Sequence, residues 1–274
     1  MTSYGKGIAA GIVFMGIVGA AAAEKESWIS VQDGWIQTDQ VGAHPLVKTA
    51  REEFAISPTG RIEVRGLDGS VEVDVGKGDS VAFVYERKGA TQRDLDCQEF
   101  KYEHDKDSLR IRSEWKHVPE CRRVQAVEKL TLKVPRGADV SLQGIGDGVT
   151  VTGLAGMLRL DSVGDSAKLT DVQQVQAKSI GDKLKMEVSR LGERGIRIDS
   201  VGDSVELALP EKIDAHVRID SVGDGIRGPG LVLTSMDGPF ETVLGKGGPP
   251  IFIGSVGDNV VITGPKLRTH VVEE

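Results

Sequence analysis

The side chains best placed by type and spacing to do chemistry are six aspartates in one recurring context. Asp147, Asp165, Asp182, Asp203, Asp224 and Asp258 each follow a glycine, and five of them close the tetrapeptide Ser-Val/Ile-Gly-Asp. Stacked about 5 Å apart, such carboxylates would repel one another, and calcium could relieve the repulsion through oxygen ligands. Asp165, Asp203 and Asp224 are the candidate ligands on that reading. The calcium-binding nonapeptide Gly-Gly-x-Gly-x-Asp needs closer spacing and further glycines, which this chain lacks. The simpler expectation is that each Asp caps its own turn and stays solvated. Carboxylates on neighbouring units, such as Asp203 and Asp224, could also serve as acid and base on a polysaccharide. Aromatic platforms are scarce there, since Phe240 and Phe252 are the only aromatics between Leu142 and Ile262.

Other catalytic constellations are missing from the sequence. His44, His104, His117, His216 and His270 stand at no metal-ligand spacing and in no nucleophile motif. Gly245-Lys246-Gly247-Gly248 lacks a following helix signal and reads as a loop rather than a phosphate cradle. No cofactor is expected. Thirty-four basic against 41 acidic residues give a formal charge of −7, without the basic surplus that nucleic-acid binding requires.

The amino terminus reads as a targeting segment. Lys6 precedes an apolar stretch from Gly7 to Ala20, and Ala21-Ala22-Ala23 follows. These are the parts of a secretory signal peptide spanning residues 1–23. A retained segment would instead be the chain's only route to a membrane. Export implies an oxidising compartment, where Cys97 and Cys121 can pair. Closing that loop of about 25 residues contributes roughly 3 kcal/mol on the chain-entropy account. The expected location is the bacterial envelope, periplasmic or secreted.

The positioning elements come from an internal repeat. A decapeptide pattern starts at Leu142, Leu160, Ala177, Ile198, Ile219, Leu233 and Ile253. The copy at Leu233 is degenerate, with Asp237-Gly238 in inverted order. Within a copy, as in Val205-Glu206-Leu207, apolar and polar residues alternate with the period of a half-buried strand, while Gly-Asp marks a bend. A bent strand pair cannot bury its own apolar face, but stacked copies can. The fold expected is therefore all-β: a β-solenoid, or β-helix, of about seven coils over residues 136–274. Residues 61–135, with longer alternating runs and the cysteine loop, form a β-rich opening section that caps the first coil. Residues 24–60 show no clean period and read as a lead-in. A second column, Val163, Ile180, Val201, Val222 and Val256, is either an exposed contact stripe or, if the backbone bends at Ser-Val, a corner of the core. The core is the favoured reading.

The run LTLKVPRGADVSLQGIGDGVTVTGLAGMLRLDSVGDSAKL, with the opening GRIEVRGLDGSVEVDV, resembles the bacterial “putative adhesin” family of β-strand repeats over roughly Glu53 to Pro265. The resemblance implies an exported repetitive β-fold of unsettled biochemical role. The chain departs from it in carrying Val, Ile or Met before the glycine where a small polar residue is common. The function expected is a non-catalytic, adhesin-like or envelope structural module that contacts a protein or polysaccharide of the cell envelope. A polysaccharide-active enzyme on the same scaffold is the alternative. End-to-end self-association through exposed terminal strands is a further expectation.

Overall fold

Each intact repeat folds as two short strands joined at a sharp corner. In the copy at Ile198, Ile196 and Ile198 point inward and Asp199 and Ser200 both point outward. Val201 then turns inward again. Two consecutive outward residues break the strand period and aim the chain at the opposite sheet. Val205 and Leu207 then bury themselves from the other side. The computed structural model describes residues 29–32, 35–38, 45–122, 124, 126–235 and 238–267. The targeting segment at 1–23 lies outside them.

The opening strands are β1 (Ile29–Gln32), β2 (Trp35–Thr38), β3 (Leu46–Ala55), β4 (Arg61–Arg65), β5 (Gly69–Val75), β6 (Ser80–Gly89), β7 (Gln98–His104), β8 (Ser108–Trp115) and β9 (Ala126–Val134). A short helix, α1 (Gln92–Asp96), follows a Thr91–Asp94 capping box. The repeats supply β10 (Asp139–Gln143), β11 (Val149–Thr152), β12 (Met157–Val163), β13 (Ala167–Thr170), β14 (Gln174–Ile180), β15 (Leu184–Glu187), β16 (Ile196–Val201) and β17 (Val205–Ala208). The remainder are β18 (Ala215–Val222), β19 (Gly225–Gly228), β20 (Leu231–Leu233), β21 (Phe240–Leu244), β22 (Pro250–Val256) and β23 (Asn259–Thr263).

These strands build two large mixed sheets around one aliphatic core. The first has 13 strands, in the order β1-β2-β3-β6-β9-β5-β11-β13-β15-β17-β23-β19-β20. The second has 10, in the order β21-β18-β22-β16-β14-β12-β10-β4-β8-β7. Eight strands in the middle of each sheet run parallel and in register, so the chain contributes one strand to each sheet per rung. Val149, Leu207 and Ile262 all lie in the interior.

The spatial order departs from seven copies stacked in chain order. The last copy, in β22 and β23, sits between the rung of β16 and β17 and the rung of β18 and β19. A matching exchange occurs at the other end, where β8 and β9 lie outside β4 and β5. The chain thus reaches each terminal rung before it fills the gap behind it. Antiparallel strands then flank both terminal rungs: β7 and β6 at one end, β21 and β20 at the other. The degenerate copy lacks the corner glycine in its sequence, and β20, which ends where that copy begins, pairs antiparallel with β19 instead of adding a rung. The opening section contributes two rungs of its own, and the lead-in contains β3, ten residues paired with β6. Only Ala50 of β3 is fully buried, so its alternation is blurred in the sequence.

The corner explains the Gly of Ser-Val-Gly-Asp. A Cβ on Gly202 would lie 2.0 Å from the carbonyl oxygen of Gly181. Gly164, Gly181, Gly257 and Gly223 meet the corresponding glycine of the preceding rung as closely, at 1.9–2.0 Å. None of these five has a positive φ, so space requires glycine here, not backbone conformation. The close approach keeps hydrogen bonds running through the bend. Gly202 N donates to Ile180 O at 2.9 Å and Asp203 N to Asp182 O at 2.9 Å.

The opening end is locked by a buried polar cluster. Glu128 of β9 and Arg87 of β6 are fully buried and paired at 2.9 Å. Glu128 also accepts from the Asp68 amide at 3.0 Å, Gln98 Nε2 at 3.1 Å, Ser113 Oγ at 3.1 Å and the Tyr85 hydroxyl. Burial and that carboxylate push the Tyr85 phenol far above its usual range. Arg87 donates to Asp94 O at 2.8 and 2.9 Å, tying α1 to the sheet. Such a cluster holds because its polar atoms are satisfied together, and removing one partner would strand a charge. Beside it, the Cys97–Cys121 disulfide closes with a Cα–Cα distance of 5.4 Å.

The exchanged order at the repeat end can be checked by cross-linking. Ser200 and Ser255 are register partners, and Ser255 is also the partner of Ser221. The pair Ser200→Cys/Ser255→Cys should oxidise readily at a spacing of about 4.8 Å. Ser200→Cys/Ser221→Cys should not, at roughly 9.6 Å. The reverse pattern would mean that the copies stack in chain order.

Candidate functional site

The aspartates of the repeats form one ladder along the corner. Backbone bonds link Asp147, Asp165, Asp182, Asp203, Asp258 and Asp224 in that spatial order. Asp165, Asp203 and Asp224 are therefore not consecutive, because Asp182 and Asp258 lie between them. Successive members of this set are two rungs, roughly 9.6 Å, apart, too far for ligands of one calcium at about 2.4 Å from the ion. Among the described residues no three His, Cys, Asp or Glu side chains group as metal ligands. Asp203 and Asp224 likewise do not sit on adjacent rungs, since the neighbour of Asp203 is Asp258.

The neighbouring Asp203 and Asp258 carboxyls shift each other's titration in opposite directions. A hydrogen bond from Asp258, with help from Lys183 at 3.3 Å, holds Asp203 below the usual carboxylate range. The same bond and the Asp203 charge raise Asp258, with Asp224 adding to the effect. The lowered Asp203 favours the fold above the ordinary carboxylate range and loses that contribution as pH falls. The raised Asp258 acts in the opposite sense, so the repulsion it feels is relieved on protonation.

The Val/Ile column is core. Val163, Ile180, Val201 and Val256 are buried, and Val222 in the terminal rung is half-buried against the same core. The outward pair before each Val or Ile supplies the bend that turns it in, so this column is not a contact stripe.

The outer face of the second sheet gathers what the sequence scatters. One register column runs Ser141, Arg159, Gln176, Arg197, Phe252 and Arg218 across β10, β12, β14, β16, β22 and β18. Its side chains are half-buried or exposed, on strands held flat by their neighbours. The Arg197 guanidinium stacks over the Phe252 ring at 4.5 Å, a cation–π contact that fixes its plane. Arg197 Nε lies 2.8 Å from Asp199 and Arg218 Nε 2.7 Å from Asp220. Arg218 Nη1 also reaches Glu241 at 2.6 Å, while Arg159 lies 3.8 Å from Asp139. The acid two residues on accepts from the Nε edge of Arg218, while Asp199 Oδ1 lies beside Arg197 without accepting a hydrogen bond. The row of planar donors can bind carboxylates, phosphates or sugar hydroxyls.

The signal was present in the sequence as Arg-Leu/Ile-Asp ahead of Ser-Val-Gly-Asp at Arg159, Arg197 and Arg218. Phe252 had none, because its place between two arginines depends on the inserted rung. The outer face of the first sheet carries lysines instead. Lys129, Lys168, Lys183 and Lys185 line a shallow depression of about 480 Å³, where Lys129, Lys183 and Lys185 pair with Glu72, Asp203 and Glu206 respectively.

No family profile and no curated protein matches the chain. Solved structures do resemble it in part. A “putative cell adhesion protein” from Clostridium sporogenes aligns over 80% of this chain and 100% of its own, at 11% identity and a TM-score of 0.44. A “putative adhesin” from Bacteroides fragilis covers 79% and 96%, at 12% identity and 0.32. A “putative lipid binding protein” from Parabacteroides distasonis covers 78% and 96%, at 13% and 0.26. Likenesses this distant establish neither family nor function.

Carboxyl titration by NMR tests the ladder. Asp258 should take up its proton at higher pH than Asp203, in two coupled steps. In Asp258→Asn the single remaining step should be that of an isolated Asp203 beside Lys183. Identical, uncoupled midpoints in the wild type would show that the carboxyls do not meet.

Proposed function

We propose that this chain is an exported, non-catalytic β-solenoid that acts as an adhesin-like binding or structural module of the cell envelope. The observation that carries the reading is the in-register column Arg159, Gln176, Arg197, Phe252 and Arg218. It places an arginine on every second rung of one face, with Gln176 and Phe252 between them. Such a face suits an extended partner held through many similar contacts, each weak alone. The parallel rungs and their alternation between two sheets support the solenoid description. The disulfide supports an oxidising compartment, and the sequence of residues 1–23 supports export. Among the described residues no helix is long and apolar enough to cross a membrane.

The test is binding without turnover. Purified protein should co-sediment with isolated envelope material and release no reducing ends from envelope polysaccharides. Reducing-end release that disappears in Asp203→Asn would replace the module with the enzyme reading. Failure to bind any envelope fraction would remove it altogether.

A further inference from the structure

We infer that the arginine column of the second sheet binds an acidic polysaccharide that carries a carboxylate on every second sugar. This deepens the module reading above and rests on it. The period of the column matches that of such a polymer. Along the column, Arg159, Arg197 and Arg218 occupy every second rung, with Gln176 and Phe252 between them. Strand spacing places successive guanidiniums roughly 9.6 Å apart. That length matches one disaccharide of an extended, diequatorially linked polysaccharide. A chain laid along the stack would therefore bring a carboxylate to Arg159 and to Arg197 and an uncharged sugar to Gln176 and Phe252, while Arg218 is held by Asp220 and Glu241.

The inserted rung creates this period. Were the copies stacked in chain order, Arg197 and Arg218 would be side by side, and like charges in register destabilise a sheet. With β22 between them, Phe252 separates the two and stacks under Arg197 at 4.5 Å. Asp199 and Asp220 meet the Nε edges of their arginines. Asp199 approaches Arg197 from its Nε side, so a ligand carboxylate would meet the Nη fork and bind it bidentately. The surrounding acids, Asp139, Asp161, Asp199, Asp220 and Glu241, keep the face near neutral, and Asp161 pairs with Lys178. Selectivity therefore comes from matched spacing rather than from bulk positive charge. Phe252 is a positioning residue on this account, because it acts through Arg197.

The experiment uses the full chain and two probes. One is an oligosaccharide of alternating uronate and neutral sugars; the other is the same oligomer with its carboxylates reduced to alcohols. Calorimetry should show binding of the first, weakening as salt rises, and at least about tenfold weaker binding of the second. Arg197→Ala and Arg159→Ala should each lose about tenfold or more, with unchanged thermal unfolding. Phe252→Ala should lose affinity, and Phe252→Tyr should keep it. Equal affinity for the two probes would overturn the inference, as would full affinity in folded Arg197→Ala. If Arg197→Ala still sediments with envelope material as the wild type does, this assignment falls while the module reading stands. If the wild type sediments with none, the module reading falls too.

Discussion

The structure depends on how closely two backbones approach at the corner of each rung. Strand ladders normally end where the chain bends, because side chains there hold neighbouring turns apart. Here glycine after glycine removes that obstacle, and the bend itself becomes a ladder. Gly164, Gly181, Gly202, Gly257 and Gly223 each pack onto the carbonyl of the last, with Asp amides bonded alongside. The valine or isoleucine before each glycine fills the space inside the bend. Register is then set at the corner as well as by the hydrophobic alternation, and a one-residue slip would place a Cβ against a carbonyl oxygen.

Fixed register makes the outer surface a lattice. A residue at a given repeat position reappears at the same height on the next rung, so small sequence differences between copies become a pattern in space. The corner column sets carboxyls in a row, and at Asp203 and Asp258 they shift each other's titration. The face of the second sheet presents guanidiniums alternating with neutral planar groups. The exchanged rungs at the two ends alter these patterns and also protect the stack. Each terminal rung is flanked by antiparallel strands instead of offering a bare parallel edge. At the opening end the buried Arg87–Glu128 pair and the disulfide hold that cover in place.

Much of this was legible in the residues. The spacing of Ser-Val-Gly-Asp disclosed the repeat, and alternation such as Val205-Glu206-Leu207 disclosed the strands. The two cysteines announced their bond by being alone. The rung order was not legible, since Ile219 and Ile253 start almost equivalent copies and either could follow Ile198. Only the three-dimensional course of the hairpins β20 and β21 decides it. The functional column was hidden for the same reason. Phe252 lies 55 residues from Arg197 in a copy where the Arg-Ile-Asp signature is absent. Glu128 was unreadable too, because a charged residue in an alternating run looks solvent-facing until its partners arrive from four other segments.

The most direct test of corner packing is the thermal unfolding of Gly202→Ala beside Gly238→Ala. Where conformation and space allow, replacing glycine by alanine stabilises by about 0.4–1 kcal/mol. Gly238 has nothing within 4 Å of an added Cβ, so its variant should unfold at or above the wild-type temperature. Gly202 has a carbonyl oxygen 2.0 Å away, so its variant should unfold well below it. A Gly202→Ala protein as stable as Gly238→Ala would contradict the account, because the rungs would then not be meeting backbone to backbone.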